Sequence, residues 1–152
     1  SEKLNIVRVR PFNHIGERQA LGFVVADLAA SIVRVEKGLA PTVSVGNLDS
    51  VRDFSDVKDI VNAYILLMEK GQSGEIYNLG SGKAHSIREI LEILKSKSKV
   101  DIKITVDANK IRPVDLPYLV CNNEKILKLG WQPKHQLAET LERILNYWRA
   151  NL

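Results

Sequence analysis

The apolar pattern of this chain keeps switching between a period of two and a period near 3.6, and that alternation restricts the fold more than any single motif. Residues 4–10 alternate and are rich in β-branched side chains, the pattern of a strand. Residues 23–37 then carry Val24, Leu28, Ile32 and Val35 at helical spacing, with Gly38 as the stop. A short strand is expected over residues 41–45. Ser55 can cap a helix that runs to Lys70 and closes at Gly71, with Val57, Ile60, Val61, Tyr64 and Leu67 as its apolar stripe. Residues 75–79 form another strand, and Ser86 with Glu89 makes a capping box ahead of Ile87, Ile90, Leu91 and Leu94. A strand over 102–106 leads into a connector holding Arg112, Pro113 and Pro117. Asn123 can cap a short helix that stops at Gly130. The last helix, 136–149, presents Leu137, Leu141, Ile144, Leu145 and Trp148 on one face. Strands and helices that alternate in this way predict an α/β fold rather than all-α or all-β modules.

A length of 152 residues suits a single domain with a real core, and 45% apolar with 26% charged residues excludes a disordered chain. Twenty-two basic against eighteen acidic residues leave a net charge of +4, too small and too dispersed for a nucleic-acid binder but compatible with an anionic ligand. Cys121 is the only cysteine, so no intrachain disulfide can form; a cytoplasmic location is expected. With no motif around it, Cys121 reads as a small buried residue. His14, His85 and His135 stand too far apart for local metal-ligand spacing, so no metal is expected. Apolar runs of membrane length and a signal peptide are both lacking, so neither a membrane nor nucleic acid is an expected partner. A strand that opens almost at the first residue suggests a chain cut from something longer.

Gly80-Ser81-Gly82 follows a strand and precedes a helix, with Asp107 after the next strand, which outlines a dinucleotide-binding turn. The third glycine of that fingerprint falls on His85, so the turn is expected to be a glycine corner ahead of a capped helix and not a cofactor site. Three polar clusters are better candidates. Asn13 stands at the end of the first strand, where α/β proteins place ligand groups, and its amide can both donate and accept. Arg52 points opposite to Val51 and Asp53 along an extended segment. Arg112 and Asp115 lie on a segment stiffened by Pro113. Two arginines can clamp a diphosphate and a carboxylate can accept from ribose hydroxyls. Spacing alone equally allows each arginine to pair with Asp53, Asp56 or Asp115.

These residues sit inside longer signatures: Arg10-Pro11-Phe12-Asn13-His14-Ile15-Gly16, Arg52-Asp53-Phe54 with Asp56-Val57, Tyr77-Asn78-Leu79-Gly80-Ser81-Gly82, Arg112-Pro113-Val114-Asp115, and Leu129-Gly130-Trp131-Gln132-Pro133. In that order they resemble the extended short-chain dehydrogenase/reductase family, in its nucleotide-sugar branch. The Asn-His-Ile-Gly stretch, Phe23-Val24-Val25, Val45-Gly46-Asn47-Leu48 and Tyr147-Trp148-Arg149 are most similar to the GDP-mannose 4,6-dehydratase and GDP-4-keto-6-deoxy-mannose reductase group.

The resemblance implies the substrate-binding, C-terminal part of an NAD(P)-binding, Rossmann-type enzyme whose N-terminal Rossmann half is absent from this chain. It divides the chain into a last Rossmann strand with its active-site loop (about residues 1–16) and a sugar-nucleotide-binding region (about 17–152). It implies a GDP-sugar as substrate, with Asn13 on the sugar or its phosphate, Arg52 and Arg112 on the diphosphate and Asp115 on the ribose. Val45, Gly46 and Asn47 are expected beside the base, and His14 near the nicotinamide end of NAD or NADP. The activity implied is a lyase, the 4,6-dehydratase, with the reductase or another epimerase or dehydratase as the alternative, and a homo-oligomeric state. From a different class, a non-catalytic nucleotide-binding module is the rival. The dehydratases carry an Arg-Arg pair where this chain has Arg18-Gln19, a departure that weakens the dehydratase assignment and leaves the reductase open. The catalytic residues of the family are a Tyr-x-x-x-Lys pair. Tyr64, Tyr77, Tyr118 and Tyr147 are followed four positions on by Met68, Ser81, Asn122 and Asn151, so this chain supplies no catalytic residue and is expected to be inactive alone.

Overall fold

A computed structural model describes residues 4–110 and 116–152. The strands are short and mostly parallel. In chain order the elements are β1 (Arg8–Pro11), β2 (His14–Ile15), α1 (Val24–Glu36), β3 (Val43–Val45), β4 (Val51–Arg52), β5 (Ser55–Asp56), α2 (Val57–Lys70), β6 (Ile76–Leu79), β7 (His85–Ser86), α3 (Ile87–Ser96), β8 (Ile104–Val106), β9 (Tyr118–Leu119), α4 (Glu124–Leu127) and α5 (Leu137–Asn151). A 3-10 turn spans Ala108–Lys110. The α/β class expected from the alternating pattern is the one observed.

Parallel pairs join β1 to β6, β2 to β5 and β3 to β8, while β4 lies between antiparallel β7 and parallel β9. Two apolar clusters hold the elements. One gathers α1, α3 and α5 over β3, with Ile32, Val33, Ile90, Leu94, Leu141, Ile144 and Leu145 essentially inaccessible. The other packs Ile60, Ala63 and Leu67 of α2 on Tyr77 and Leu79 of β6, closed by Ile126 and Trp131. Burial of this kind contributes about 1.5–3 kcal/mol per large side chain and dominates the fold's stability.

Several local expectations are corrected. The first strand is shorter than its sequence pattern and begins at Arg8. Asp56, not Ser55, caps α2: its carboxylate accepts from the Lys58 N–H at 2.8 Å, while the Ser55 hydroxyl turns to Asp53. Val61 and Tyr64 do not join the core stripe of α2; with Ile65 and Met68 they form an exposed apolar stripe, Met68 at 87% exposure. The buried side of that helix is instead set by Ile60, Ala63 and Leu67, three and four residues apart. Asn123 makes no side-chain cap for α4; its amide donates to the Gly80 carbonyl at 2.8 Å.

Buried charges tie distant segments. Asp59 on α2 is 1% exposed and accepts from the backbone N–H groups of Lys134 and His135 and from the His135 ring, while the Trp131 indole donates to the Asp59 carbonyl. That is the structural content of the Leu-Gly-Trp-Gln-Pro signature: it fastens the lead-in of α5 to α2. Asp56 accepts from Thr140 and Arg143 of α5, and Arg143 also reaches Glu17 at 3.0 Å. Burial raises the Asp56 pKa, but the Thr140 hydroxyl, the Lys58 N–H and Arg143 outweigh it and bring it below the ordinary carboxylate value.

Glu36 closes α1, where the helix dipole disfavours an acid. Arg149 of α5 offsets this with two hydrogen bonds, at 2.8 and 2.6 Å, and a third to the Lys97 carbonyl. The Arg149 bond, opposed by burial and aided by the Lys99 N–H, holds the Glu36 pKa down at about 2. A depressed carboxylate stabilises the fold fully above its unfolded pKa of 4.5, and that contribution fades as pH falls toward about 2. Glu36→Gln is therefore expected to lower stability by roughly 1.5–3 kcal/mol near neutrality. The gap between variant and parent should close as melting curves are taken from pH 5 down to pH 2; a gap that stays constant contradicts the assignment.

Candidate functional site

Two hollows meet at the end of β1. The larger, about 670 Å³, lies between α1 and the segment that runs from β3 to β4. It brings together Asn13, Val45, Gly46, Asn47 and Arg52, five of the positions singled out in the sequence. Arg112 and Asp115, the other two substrate positions, lie outside the described residues.

Each wall has a local reason. β3 ends at Val45, and Gly46 follows because the 3-10 turn is pressed against it: a Cβ on Gly46 would stand 2.5 Å from the Lys110 carbonyl oxygen. Lys110 bridges back to the Ser44 carbonyl at 2.8 Å. The amide of Asn47 is spent inside its own turn, donating to Ser50 Oγ at 3.0 Å and accepting from the Asp49 N–H at 2.9 Å. A ligand beside this segment therefore meets the Asn47 backbone and the edge of the turn. Arg52 leaves β4 toward the cleft, with its guanidinium donating to the Val51 carbonyl at 2.8 Å and engaged further.

Asp53, next along the chain, goes the other way, as strand alternation requires. It is fully buried and collects the N–H groups of Ser81 (3.0 Å), Gly82 (2.7 Å) and Cys121 (3.3 Å), with the Ser81 hydroxyl at 2.6 Å. The glycine turn is thus an anion cradle already filled by a carboxylate of the same chain. Gly80 is needed for the same reason, since a Cβ there would lie 2.5 Å from Cys121 Cβ and 2.9 Å from Asp53 Oδ2. His85 is not what closes the turn to a pyrophosphate; its ring pairs with Glu89 at 2.9 Å. Of the carboxylates offered as partners for Arg52, Asp53 serves the glycine turn and Asp56 serves Arg143. Cys121 is buried beside this carboxylate, and burial and the Asp53 charge push its thiol up to about 12, which leaves it inert as a nucleophile.

The second hollow, about 600 Å³, shares Asn13, Phe23 and Val24 with the first and adds His14 and Gln19. His14 Nδ1 faces the Phe12 carbonyl at 3.0 Å, and since a carbonyl only accepts, Nδ1–H donates to it. Gln19 Nε2 donates to the His14 carbonyl at 3.2 Å, and Gln19 Oε1 is buried with no partner among the described residues. Arg18 just before it holds a left-handed φ of 69°. Asn13 lines both hollows and His14 the second of them.

Asp27, Ser31, Arg34, Asn109 and Lys110 also line the larger cleft, and none of them stands in a sequence signature named above. Asp27, Ser31 and Arg34 share one polar face of α1 at i, i+4 and i+7, opposite the side that Val25, Ala29 and Ile32 bury. Lys110 has no such signal, because its place depends on the pairing of β8 with β3. Among the described residues no group of three metal-ligating side chains comes together, and no helix is long and apolar enough to cross a membrane.

Comparison with known proteins matches this arrangement to one family. Over its whole length the chain is 34% identical to GDP-6-deoxy-D-mannose reductase of Pseudomonas aeruginosa, of which it covers 51%. Over 89% of its length it is 26% identical to human GDP-mannose 4,6 dehydratase, covering 41% of that protein. The solved structure of RMD from Pseudomonas aeruginosa complexed with NADPH superposes on 97% of this chain with a TM-score of 0.90 and 34% identity, this chain covering 50% of it. The chain therefore spans about half the length of the curated relatives it matches. The family described as GDP-mannose 4,6 dehydratase matches residues 1–144, and this chain, with its α/β fold and its Asn-His, Arg-Asp-Phe and glycine-turn signatures in place, belongs to that family.

Proposed function

We propose that this chain forms the sugar-nucleotide-binding portion of an NAD(P)-dependent enzyme acting on a GDP-sugar. The observation that carries the reading is the cleft that gathers Asn13, Val45, Gly46, Asn47 and Arg52. Asn13 binds the sugar or its phosphate, Arg52 and Arg112 hold the diphosphate, Asp115 accepts from the ribose, and the segment from Val45 to Asn47 lines the base. A guanidinium suits this task because its planar fork donates in pairs to phosphate oxygens. NAD(P) supplies the hydride chemistry. The glycine turn does not fit its pyrophosphate, since the Ser81 and Gly82 N–H groups are spent on Asp53. From this chain, His14 at the second hollow is the residue that meets the cofactor's nicotinamide end. No tyrosine–lysine pair at the family's spacing is present in these residues, so the chain is inactive on its own.

Between the two chemistries in the family, Arg18-Gln19 favours the reductase over the 4,6-dehydratase, and the 34% identity to a reductase along the whole chain supports the same side. The exposed stripe of Val61, Tyr64, Ile65 and Met68 on α2 supports self-association, since contiguous apolar surface is costly in a monomer. Sedimentation of a strictly monomeric species over a wide concentration range contradicts that part.

Residue-resolved NMR during titration with GDP-mannose tests the site. The proposal expects shifts concentrated at residues 13, 45–47 and 52. Shifts concentrated at residues 80–82 would place the ligand at the glycine turn and sink it.

A further inference from the structure

The side-chain amide of Asn47 is spent on Ser50 and Asp49, yet the facing wall of the cleft holds a carboxylate with an oxygen to spare. Asp27 lies in the first turn of α1, and among the described residues it is the only acid that lines the cleft. Its Oδ1 accepts from the Gly22 N–H at 2.9 Å, which fixes the orientation of the carboxylate. Its Oδ2 takes no hydrogen bond from a described residue and is not buried. The other charged residues of the cleft, Arg34, Arg52 and Lys110, are cations suited to a diphosphate. A carboxylate among them repels phosphate, so it belongs opposite a part of the ligand that offers donors instead of acceptors.

Resting on the reading of this cleft as a GDP-sugar site, we infer that Asp27 selects the base, accepting from the N1–H and the exocyclic N2 amine of guanine. Those two donors lie side by side on one edge of the ring and match the two oxygens of a carboxylate, the geometry that makes paired charge-assisted bonds strong. Adenine presents an acceptor at N1 and no amine at C2. Hypoxanthine keeps the N1–H and lacks the amine. The opposite wall, the Val45 to Asn47 segment, is mostly backbone and apolar surface, suited to the flat face of a base and not to distinguishing one base from another.

Binding of GDP, IDP and ADP to the 152-residue chain, followed by ligand-observed NMR, separates the possibilities. GDP is expected to bind at least tenfold more tightly than IDP, and ADP more weakly still. Asp27→Asn keeps an oxygen for the Gly22 N–H and so keeps the turn, but it is expected to bring GDP down to the level of IDP. Asp27→Ala serves as the second variant and is expected to erase the same preference. If GDP and IDP bind equally and the variants weaken both alike, Asp27 holds the ribose or acts on the fold, and the inference fails while the GDP-sugar reading stands. If GDP does not bind the unaltered chain at all, both fail.

Discussion

Asp53→Ala is expected to lower the stability of this chain by about 3–5 kcal/mol, the largest effect of any single substitution in the site region. Its carboxylate is fully buried and is the acceptor for three backbone N–H groups and a serine hydroxyl from two other segments. Alanine leaves those donors buried without partners, and each costs about 1–3 kcal/mol when orphaned. At this chain length the loss corresponds to a melting temperature lower by on the order of 10 °C. Asp53→Asn retains one acceptor oxygen but turns an amine toward the second set of donors, so an intermediate loss is expected. Thermal melts of the two variants decide the matter. A change of less than roughly 1 kcal/mol for the alanine variant would show that the turn does not depend on Asp53.

The second large effect concerns the ligand rather than the fold. Arg52→Ala is expected to weaken GDP binding ten- to about a hundredfold, the equivalent of losing about 1.5–3 kcal/mol of charge-assisted hydrogen bonding. Arg112→Ala is expected to do the same on the strength of the family resemblance. Both should leave the melting temperature within a few degrees of the parent, because Arg52 borders the cleft and is not part of either apolar cluster. Calorimetric titration beside a melt for each variant measures both quantities. A variant that melts much earlier without losing affinity would recast Arg52 as a structural residue.

How much of this was readable from the residues depended on the range of the interaction. The helices were legible because their signals are local. Ile87, Ile90, Leu91 and Leu94 repeat at helical spacing, the Ser86 hydroxyl does accept from the Glu89 N–H at 3.0 Å, and Leu141, Ile144 and Leu145 are buried as their stripe demands. The cleft was legible in part, since Asn13 follows a strand and Arg52 alternates out of one. What could not be read was which distant group answers which. Gly80-Ser81-Gly82 carries the outline of a phosphate turn, and the carboxylate that fills it comes from Asp53, twenty-eight positions before Ser81. Asn47 reads as a ligand group until its amide is found closed on Ser50 and Asp49. Asn123 has the look of a cap and instead seals the glycine turn. Val61 and Tyr64 extend an apolar stripe in sequence, but one helix face can bury only what its neighbours cover, and β6 covers the side of Ile60, Ala63 and Leu67.

The central claim is that the anionic ligand of this chain sits in the cleft of Asn13 and Arg52 and not on the glycine turn. Competition between GDP and NAD for the unaltered chain, repeated with Arg52→Ala and with Ser81→Ala, tests it most directly. Ser81 loses two hydroxyl bonds when shortened, the one it donates to Asp53 and the one it accepts from the Lys83 N–H, and neither touches the cleft, so GDP affinity should survive that change nearly intact. GDP is expected to bind, NAD is expected not to displace it at comparable concentration, and Arg52→Ala is expected to weaken GDP ten- to about a hundredfold while Ser81→Ala spares it. Tighter binding of NAD than of GDP, lost on Ser81→Ala and kept on Arg52→Ala, would contradict it.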